Sequence, residues 1–396
     1  MPKKVDVIVL GLSPTGLYAV REAARAGYTV LGVGAPGAPG LWSRFLDYRI
    51  SAVTPEQRID AIIRWAAESG NAKPLLIVTS DQDLEAVVSR SGDLRQAVDL
   101  QGAYTDGLAH QIMDKERFYE LCGEYGVPFP SLYSGKLHQV AELGEQIKYP
   151  VFVKPARIQE VKHLMGGQKG WIIESKAEFQ AVLSSVPDEV ETVLMQEIIP
   201  GPESNITLWC GYIDDAGKVR QSFTARKLRQ YPPGFGSASL VESEVCRETS
   251  EIAENFLVKL GYRGIAAAEF KRHPETGELK IIEVNPRPSL WFSVSSKSGV
   301  RLVETALAES NGAELPPRAC QTDGVLWRYT LKDLASRLFY LSHRQFVLPA
   351  PNVKRTGKTR LHADVTSSWD DPVPGVAEGI SLVFKALRRF IGKGFS

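Results

Sequence analysis

The segment Ile281-Ile282-Glu283-Val284-Asn285-Pro286-Arg287, read with Ala268-Glu269-Phe270 upstream, constrains this chain more than any other. Two apolar runs, Gly264 to Phe270 and Leu279 to Val284, flank the polar turn His273-Pro274-Glu275-Thr276-Gly277, a pattern that predicts a β-hairpin. Each run is interrupted by one carboxylate, and burying a carboxylate is costly unless a cation or hydrogen bonds compensate. Glu283 and Asn285 are two apart and share a strand face, which Glu269 reaches from the partner strand. Two carboxylates and an amide form a hard, all-oxygen set suited to Mg²⁺, with Mn²⁺ as an alternative. A half-buried hairpin with acids salt-bridged to Arg or Lys is the competing reading. Asn285-Pro286-Arg287 favours the metal, because it adds a rigid turn and a phosphate-competent cation to the same strand.

The N-terminal third reads as α/β. Val5 to Leu10 is a buried parallel strand, Leu17 to Gly27 has helical spacing, and Val30 to Val33 is a second strand. The glycine turn between them, Gly11-Leu12-Ser13-Pro14-Thr15-Gly16, has Ser13 where a dinucleotide fingerprint has its middle glycine, and no acid closes the second strand. A nicotinamide dehydrogenase is therefore disfavoured. A helix over Pro55 to Gly70 and a strand over Leu75 to Val78 lead to Thr79-Ser80-Asp81. Those polar residues sit where α/β sheets put ligands, or they cap the next helix. Ser13, Thr15 and Asp81 are candidates for an acceptor pocket there.

The middle of the chain carries cations and glycines in places that suit phosphate. His110 to Gly123 is helical in period and contains Lys115. Lys154 ends the apolar strand Tyr149 to Pro155, where the following proline fixes its position; a lysine ammonium is a common phosphate binder. Gly166, Gly167 and Lys169 precede a strand at Trp171 to Glu174, and glycines there let backbone N–H groups approach phosphate oxygens. Val193 to Glu203 reads as strand, hinge and turn. Ser222 to Leu228 is a strand ending in Arg226-Lys227-Leu228-Arg229 before a Gly-rich loop; Lys227 and Arg229 are expected on one face, toward triphosphate or an anionic substrate.

These residues, in this order, resemble the ATP-grasp ligases, a superfamily that includes carbamoyl phosphate synthetase, biotin carboxylase, D-alanine–D-alanine ligase and D-aspartate ligase. The likeness runs from about Val5 to Ala308 and is strongest from Met113 to Arg287. It implies a Rossmann-like pre-ATP-grasp domain (1–112), a two-lobed α+β ATP-grasp domain (113–310) and a basic C-terminal extension (311–396). It implies that Lys115 and Lys154 touch nucleotide phosphates under a loop carrying Gly166, Gly167 and Lys169. The backbone at Glu197 and Ile199 would meet adenine, with Gln196 beside it and Glu203 on the ribose. Mg²⁺ would sit on Glu269, Glu283 and Asn285. Ala267 departs from the D-alanine–D-alanine ligase pattern, which has arginine there. The Asn-Pro-Arg ending is closer to carbamoyl phosphate synthetase and D-aspartate ligase, which makes Arg287 the oxyanion candidate.

The expected activity is ATP-dependent joining of a carboxylic acid to an amine through an acyl phosphate, releasing ADP and phosphate. The alternatives are a carboxylase using bicarbonate, for which no biotinylation segment is present, and a non-catalytic nucleotide-binding protein. Charge supports a small-molecule enzyme rather than a nucleic-acid binder: the net charge is +1 over 396 residues. From Pro317 onward, however, there are 13 Lys and Arg against 6 Asp and Glu. Within that tail, Gly379 to Phe395 has Ile380, Val383, Phe384, Leu387 and Ile391 on one helical face with cations off it. Such a helix either packs on its own domain or lies on an anionic membrane surface. Four scattered cysteines and no apolar leader ahead of Val5 predict a reducing cytosol, with the tail permitting a peripheral position at the inner membrane face. A homodimer is compatible with all of this.

Overall fold

A computed structural model of the chain describes residues 4–70, 73–142, 147–155, 170–187, 189–344, 346–357 and 362–381. Its first sheet is parallel: β1 (Val7–Leu10), β2 (Val30–Gly34), β3 (Tyr48–Ser51) and β4 (Leu75–Val78), in the order β3-β2-β1-β4. β1 and β4 are buried along their whole length, as apolar runs covered on both faces should be. The glycine turn after β1 serves chain geometry. Gly11 has a φ of +89°, and a Cβ on Gly16 would lie 1.8 Å from the Gly11 carbonyl oxygen. Glycine at 16 thus lets the helix Pro14–Arg25 pack directly on the strand end.

A small antiparallel sheet follows, with β5 (Leu132–Lys136), β6 (Val151–Pro155), β7 (Trp171–Ile173) and β8 (Thr192–Glu197) in the order β5-β8-β6-β7. It has its own core, built on Val151, Val153, Ile173, Phe179, Val193 and Met195. The glycine segment with Gly166, Gly167 and Lys169 lies outside the described residues.

The largest sheet holds β9 (Ile206–Ile213), β10 (Val219–Tyr231), β11 (Ser237–Ser243), β12 (Gly264–Arg272), β13 (Leu279–Asn285), β14 (Leu326–Arg328) and β15 (His362–Asp364). Their order is β13-β12-β9-β10-β11-β14-β15, antiparallel except for the β14–β15 pair. Alternation along β12 divides its residues between two cores. Ala266, Ala268 and Phe270 join one that also contains Ile8, Leu76 and Phe256. Ile265 and Ala267 join the other, and beyond them that face turns charged at Glu269 and Lys271. The charged end of an otherwise apolar face is where the candidate site forms.

The strand readings hold within a few residues, and the hairpin turns at His273 to Gly277 as expected. One helix differs. The periodic stretch from His110 to Gly123 forms two helices, Leu108–Met113 and Lys115–Glu124. Asp114 between them is extended, and its side chain caps the second helix by accepting from the Glu116 and Arg117 N–H groups. That break puts Lys115 in the first turn of a helix instead of mid-helix.

The tail past 311 is integral to the fold. β14 and β15 extend the large sheet, and the helix Thr330–Ser342 packs on β10 and β11. Asp371 accepts from Arg21 at 2.9 Å and from Ser43 Oγ at 2.7 Å, while Asp370 pairs with Arg25. The C-terminal amphipathic segment is helical through Ser381, and its remainder lies outside the described residues. No described helix is long and apolar enough to cross a membrane.

Candidate active site

In the hairpin, Glu269 and Glu283 are paired directly across β12 and β13, with Asn285 opposite Ala267 two residues on. Like charges in opposed positions destabilise a strand pair, so this arrangement demands cations. The polypeptide supplies them from distant strands. Lys227, only 2% exposed, reaches from β10 across β9 to bond Glu269. The Asn285 amide donates to Glu283 at 3.1 Å. Lys115 approaches from its helix, and burial lowers its pKa against the pull of Glu283 and Glu269. Burial raises the pKa of Glu269, opposed by Lys227. Burial acts upward on Glu283 too, but Lys115, Lys227 and the Asn285 bond outweigh it and leave that carboxylate low. The face thus holds two carboxylates in different electrostatic states beside two ammonium groups.

A bulge locates Lys115. Ile282 is the extra residue in β13, since Glu269 pairs with Glu283 but Phe270 with Ile281. Its carbonyl, released from the strand ladder, accepts from Lys115 Nζ at 2.8 Å and from Tyr119 Oη at 2.9 Å. Tyr119 Oη in turn accepts from the Gln196 amide at 2.9 Å. The candidate metal strand, the Lys115 helix and the hinge strand β8 are therefore joined by one chain of hydrogen bonds.

At the hinge, Glu197 is bridged to Lys280 at 2.8 Å and accepts from the Ser131 N–H at 2.9 Å. Burial raises its pKa, yet these bonds hold it below its ordinary value. The Ile199 carbonyl accepts from Lys271 Nζ at 2.7 Å. Lys271 is a residue that sequence reading passed over. Strand alternation from Glu269 puts it on the charged face, and burial, opposed by Glu203, brings its pKa down to about 8. Glu203 is fully buried; its oxygens accept from the N–H groups of Gln230 (3.0 Å) and Gly234 (2.6 Å) and from Tyr340 Oη (2.7 Å). In this arrangement its carboxylate organises the loop after β10 and ties it to the tail helix. Lys154 lies on β6 opposite Leu194, on the half-buried face that also carries Phe152.

Lys227 and Arg229 do not act together. Leu228 between them is bulged, which breaks the alternation expected of a regular strand. Arg229 instead makes a bidentate bridge to Asp333 of the tail helix, at 2.7 and 2.9 Å. Tyr340 and Asp333 had no local sequence signal, because each meets its partner across more than 100 residues of chain. Arg287 leaves the hairpin toward the first sheet and pairs with Asp81 through Nε (2.7 Å) and Nη2 (2.5 Å). Ser80 caps the following helix, and Thr79 bonds the carbonyls of Leu10 and Gly11. Ser13 starts the helix Pro14–Arg25 without a side-chain capping bond, and Thr15 is buried in its first turn.

The donor set fits Mg²⁺. No group of three or more His, Cys, Asp or Glu side chains suited to a metal occurs among the described residues. Two opposed carboxylates plus an amide are what a cation completed by phosphate oxygens requires, in contrast to an all-protein cage.

No protein-family model matches the chain. The D-aspartate ligase of Enterococcus faecium (strain Aus0004) is 28% identical over 247 residues, 58% of this chain and 57% of that protein. The arginine-specific carbamoyl phosphate synthase large chain of Geobacillus stearothermophilus is 24% identical over 210 residues, 51% of this chain and 19% of its own length. The chain thus spans a little over half of the first relative and a fifth of the second. Among solved structures, biotin carboxylase from Campylobacter jejuni, as its β,γ-ATP complex, aligns with a TM-score of 0.62 at 18% identity, over 82% of this chain and 74% of its own. N5-carboxyaminoimidazole synthase from Aspergillus clavatus, in complex with ADP and 5-aminoimidazole ribonucleotide, aligns at 0.58 and 14%, over 80% and 79%. The chain is thus similar in sequence to a D-aspartate ligase and a carbamoyl phosphate synthase, and it shares its fold with a biotin carboxylase and an N5-carboxyaminoimidazole synthase.

Proposed function

We propose that the protein is an ADP-forming ligase that joins a carboxylic acid to an amine. The observation that carries this reading is the opposed Glu269–Glu283 pair with Asn285 beside it, met by Lys227 and Lys115 from separate elements. Glu269, Glu283 and Asn285 would hold Mg²⁺, which when bound neutralises phosphate charge. Lys115 and Lys154 would bind the phosphates, and the hinge from Gln196 to Ile199 would take the base. The division into 1–112, 113–310 and 311–396 belongs to the same reading.

Phosphoryl transfer relies on positioning and charge neutralisation, so no side-chain nucleophile is needed. A substrate carboxylate oxygen attacks the terminal phosphorus and ADP leaves, giving an acyl phosphate. The amine lone pair then attacks the acyl carbon, the tetrahedral adduct expels phosphate, and the amine gives up one proton. Arg287 is the cation assigned to the oxyanion of that adduct. The test is product analysis over a panel of acids and amines. ADP and phosphate are expected, and hydroxylamine should trap the acyl phosphate as a hydroxamate. AMP and pyrophosphate would refute the reading. Turnover that required bicarbonate instead of an organic acid would favour the carboxylase alternative, which the fold likeness to biotin carboxylase keeps in view.

A further inference from the structure

The helix Thr330–Ser342 has two unlike faces. Its inner face carries Asp333 and Ser336, both buried, with Asp333 bridged to Arg229. Its outer face carries Leu331, Leu334, Leu338 and Leu341, which are 48%, 51%, 56% and 67% exposed. Spacings of three, four and three put these leucines in one stripe along the helix. An isolated exposed leucine means little, whereas four in one stripe form a contiguous apolar patch.

The exposed charges on the helix and at its two ends are cations, while the acids Asp364 and Glu378 bond Thr330 and Tyr329 at its N-terminal end. Arg337 on the helix, Arg328 just before it and Arg344 just after it are exposed, while the single acid of the helix, Asp333, is buried and paired. A neighbouring segment repeats the apolar spacing, with acids where the leucine helix has cations. Trp369, Val373, Val376 and Ile380 are exposed, and Glu378 accepts from the Tyr329 hydroxyl at the start of the leucine helix.

From this combination we infer that the outer face of the Thr330–Ser342 helix is a docking surface for an anionic lipid bilayer. Leucines would enter the acyl boundary while the arginines meet the headgroups, the arrangement of interfacial amphipathic helices. A second copy of the chain suits the surface less well. Two-fold packing of the same face would oppose arginine to arginine, with no exposed acid on the helix to pair them. The inference does not depend on the ligase reading, and it concerns a surface other than the last fifteen residues.

Sedimentation of the full chain with phosphatidylglycerol vesicles tests it. Binding is expected, with release at high salt as screening removes the headgroup attraction, and no binding to pure phosphatidylcholine. Leu334→Glu with Leu338→Glu should abolish sedimentation while circular dichroism and melting temperature stay those of the parent, since both side chains are exposed. Arg337→Glu, which leaves every leucine in place, should weaken it. Parent-like sedimentation of the double variant would overturn the inference, as would failure of the parent to bind. A dimer that the double variant dissociates, without lipid binding by the parent, would assign the face to a second copy and overturn it equally.

Discussion

The carboxyl end of the first sheet and the hairpin end of the large sheet both present polar residues after apolar strands, yet they use them differently. At the first, Ser80 caps its own helix, Thr79 bonds the carbonyls of β1's end, and Asp83 pairs with Arg58 at 2.7 Å. Each of these partners lies in the same four-stranded unit, while Asp81 beside them reaches out of it to Arg287. At the hairpin, two carboxylates face each other and depend on Lys227 of β10 and on Lys115 of the helix Lys115–Glu124, neither of which belongs to the hairpin. Local satisfaction marks a scaffold. A charge imbalance corrected only from a distance marks a place where a cation or phosphate can enter at modest cost.

The largest effect expected from this comparison is on stability. Arg58 and Asp83 are 6% and 3% exposed, and Arg58 also bonds the carbonyls of Ala52 and Val53. Arg58→Ala strands a buried carboxylate and should cost about 3–5 kcal/mol in chemical denaturation, with KM for ATP unchanged in the protein that remains folded. Glu283→Ala should show the opposite pattern. It removes a carboxylate that Lys115, Lys227 and Asn285 already balance, so the melting temperature should fall less than in Arg58→Ala, while kcat falls by ~100-fold, about 2.7 kcal/mol, the scale for losing one preorganised electrostatic element. A Glu283→Ala protein that unfolds easily but turns over normally would erase the distinction between the two regions.

What the sequence disclosed follows the same line. Strands with apolar runs were legible, and so was the hairpin, because Glu269, Glu283 and Asn285 sit at spacings fixed by strand alternation. The bulges at Ile282 and Leu228 were not legible, since nothing in Ile282 or Leu228 distinguishes an unpaired residue from its neighbours. Those two bulges decide that Lys115 bonds the Ile282 carbonyl and that Lys227 and Arg229 part company. Nor could sequence show that the tail supplies Tyr340 to Glu203 and Asp333 to Arg229, because side-chain pairing across such separations has no periodicity to read.

Lys271 gives a pH-dependent prediction of intermediate size. Burial lowers its pKa from an ordinary 10.5 to about 8 in the folded chain. Between those values the unfolded chain keeps a proton that the folded chain has lost, so stability should rise with pH there and be insensitive to this group below 8. One proton limits the gain to about 1.4 kcal/mol per pH unit. Melting curves between pH 8 and 9 should show the rise in the parent and lose it in Lys271→Met. An equal slope in both proteins would mean that Lys271 keeps its charge in the folded chain.

The smallest expected stability effect falls where the two regions touch. Asp81 is 65% exposed and grips the Nε and Nη2 edge of Arg287, whose Nη1 is taken by the Pro288 carbonyl at 2.9 Å. With Asp81 largely in water although Arg287 is 12% exposed, the pair is screened, so Asp81→Asn should lower stability by less than ~1 kcal/mol. Its chemical effect is more telling. The edge that Asp81 occupies is the one a substrate oxygen would need if Arg287 serves the oxyanion, and a neutral amide holds a guanidinium more weakly than a carboxylate does. Amide formation by Asp81→Asn should therefore hold or rise, by no more than about tenfold, the equivalent of 1.4 kcal/mol. A ~100-fold fall would mean that Asp81 orients Arg287 for the reaction. The carboxyl end of the first sheet would then belong to the active site, and the contrast between scaffold and site would have to be redrawn through β4.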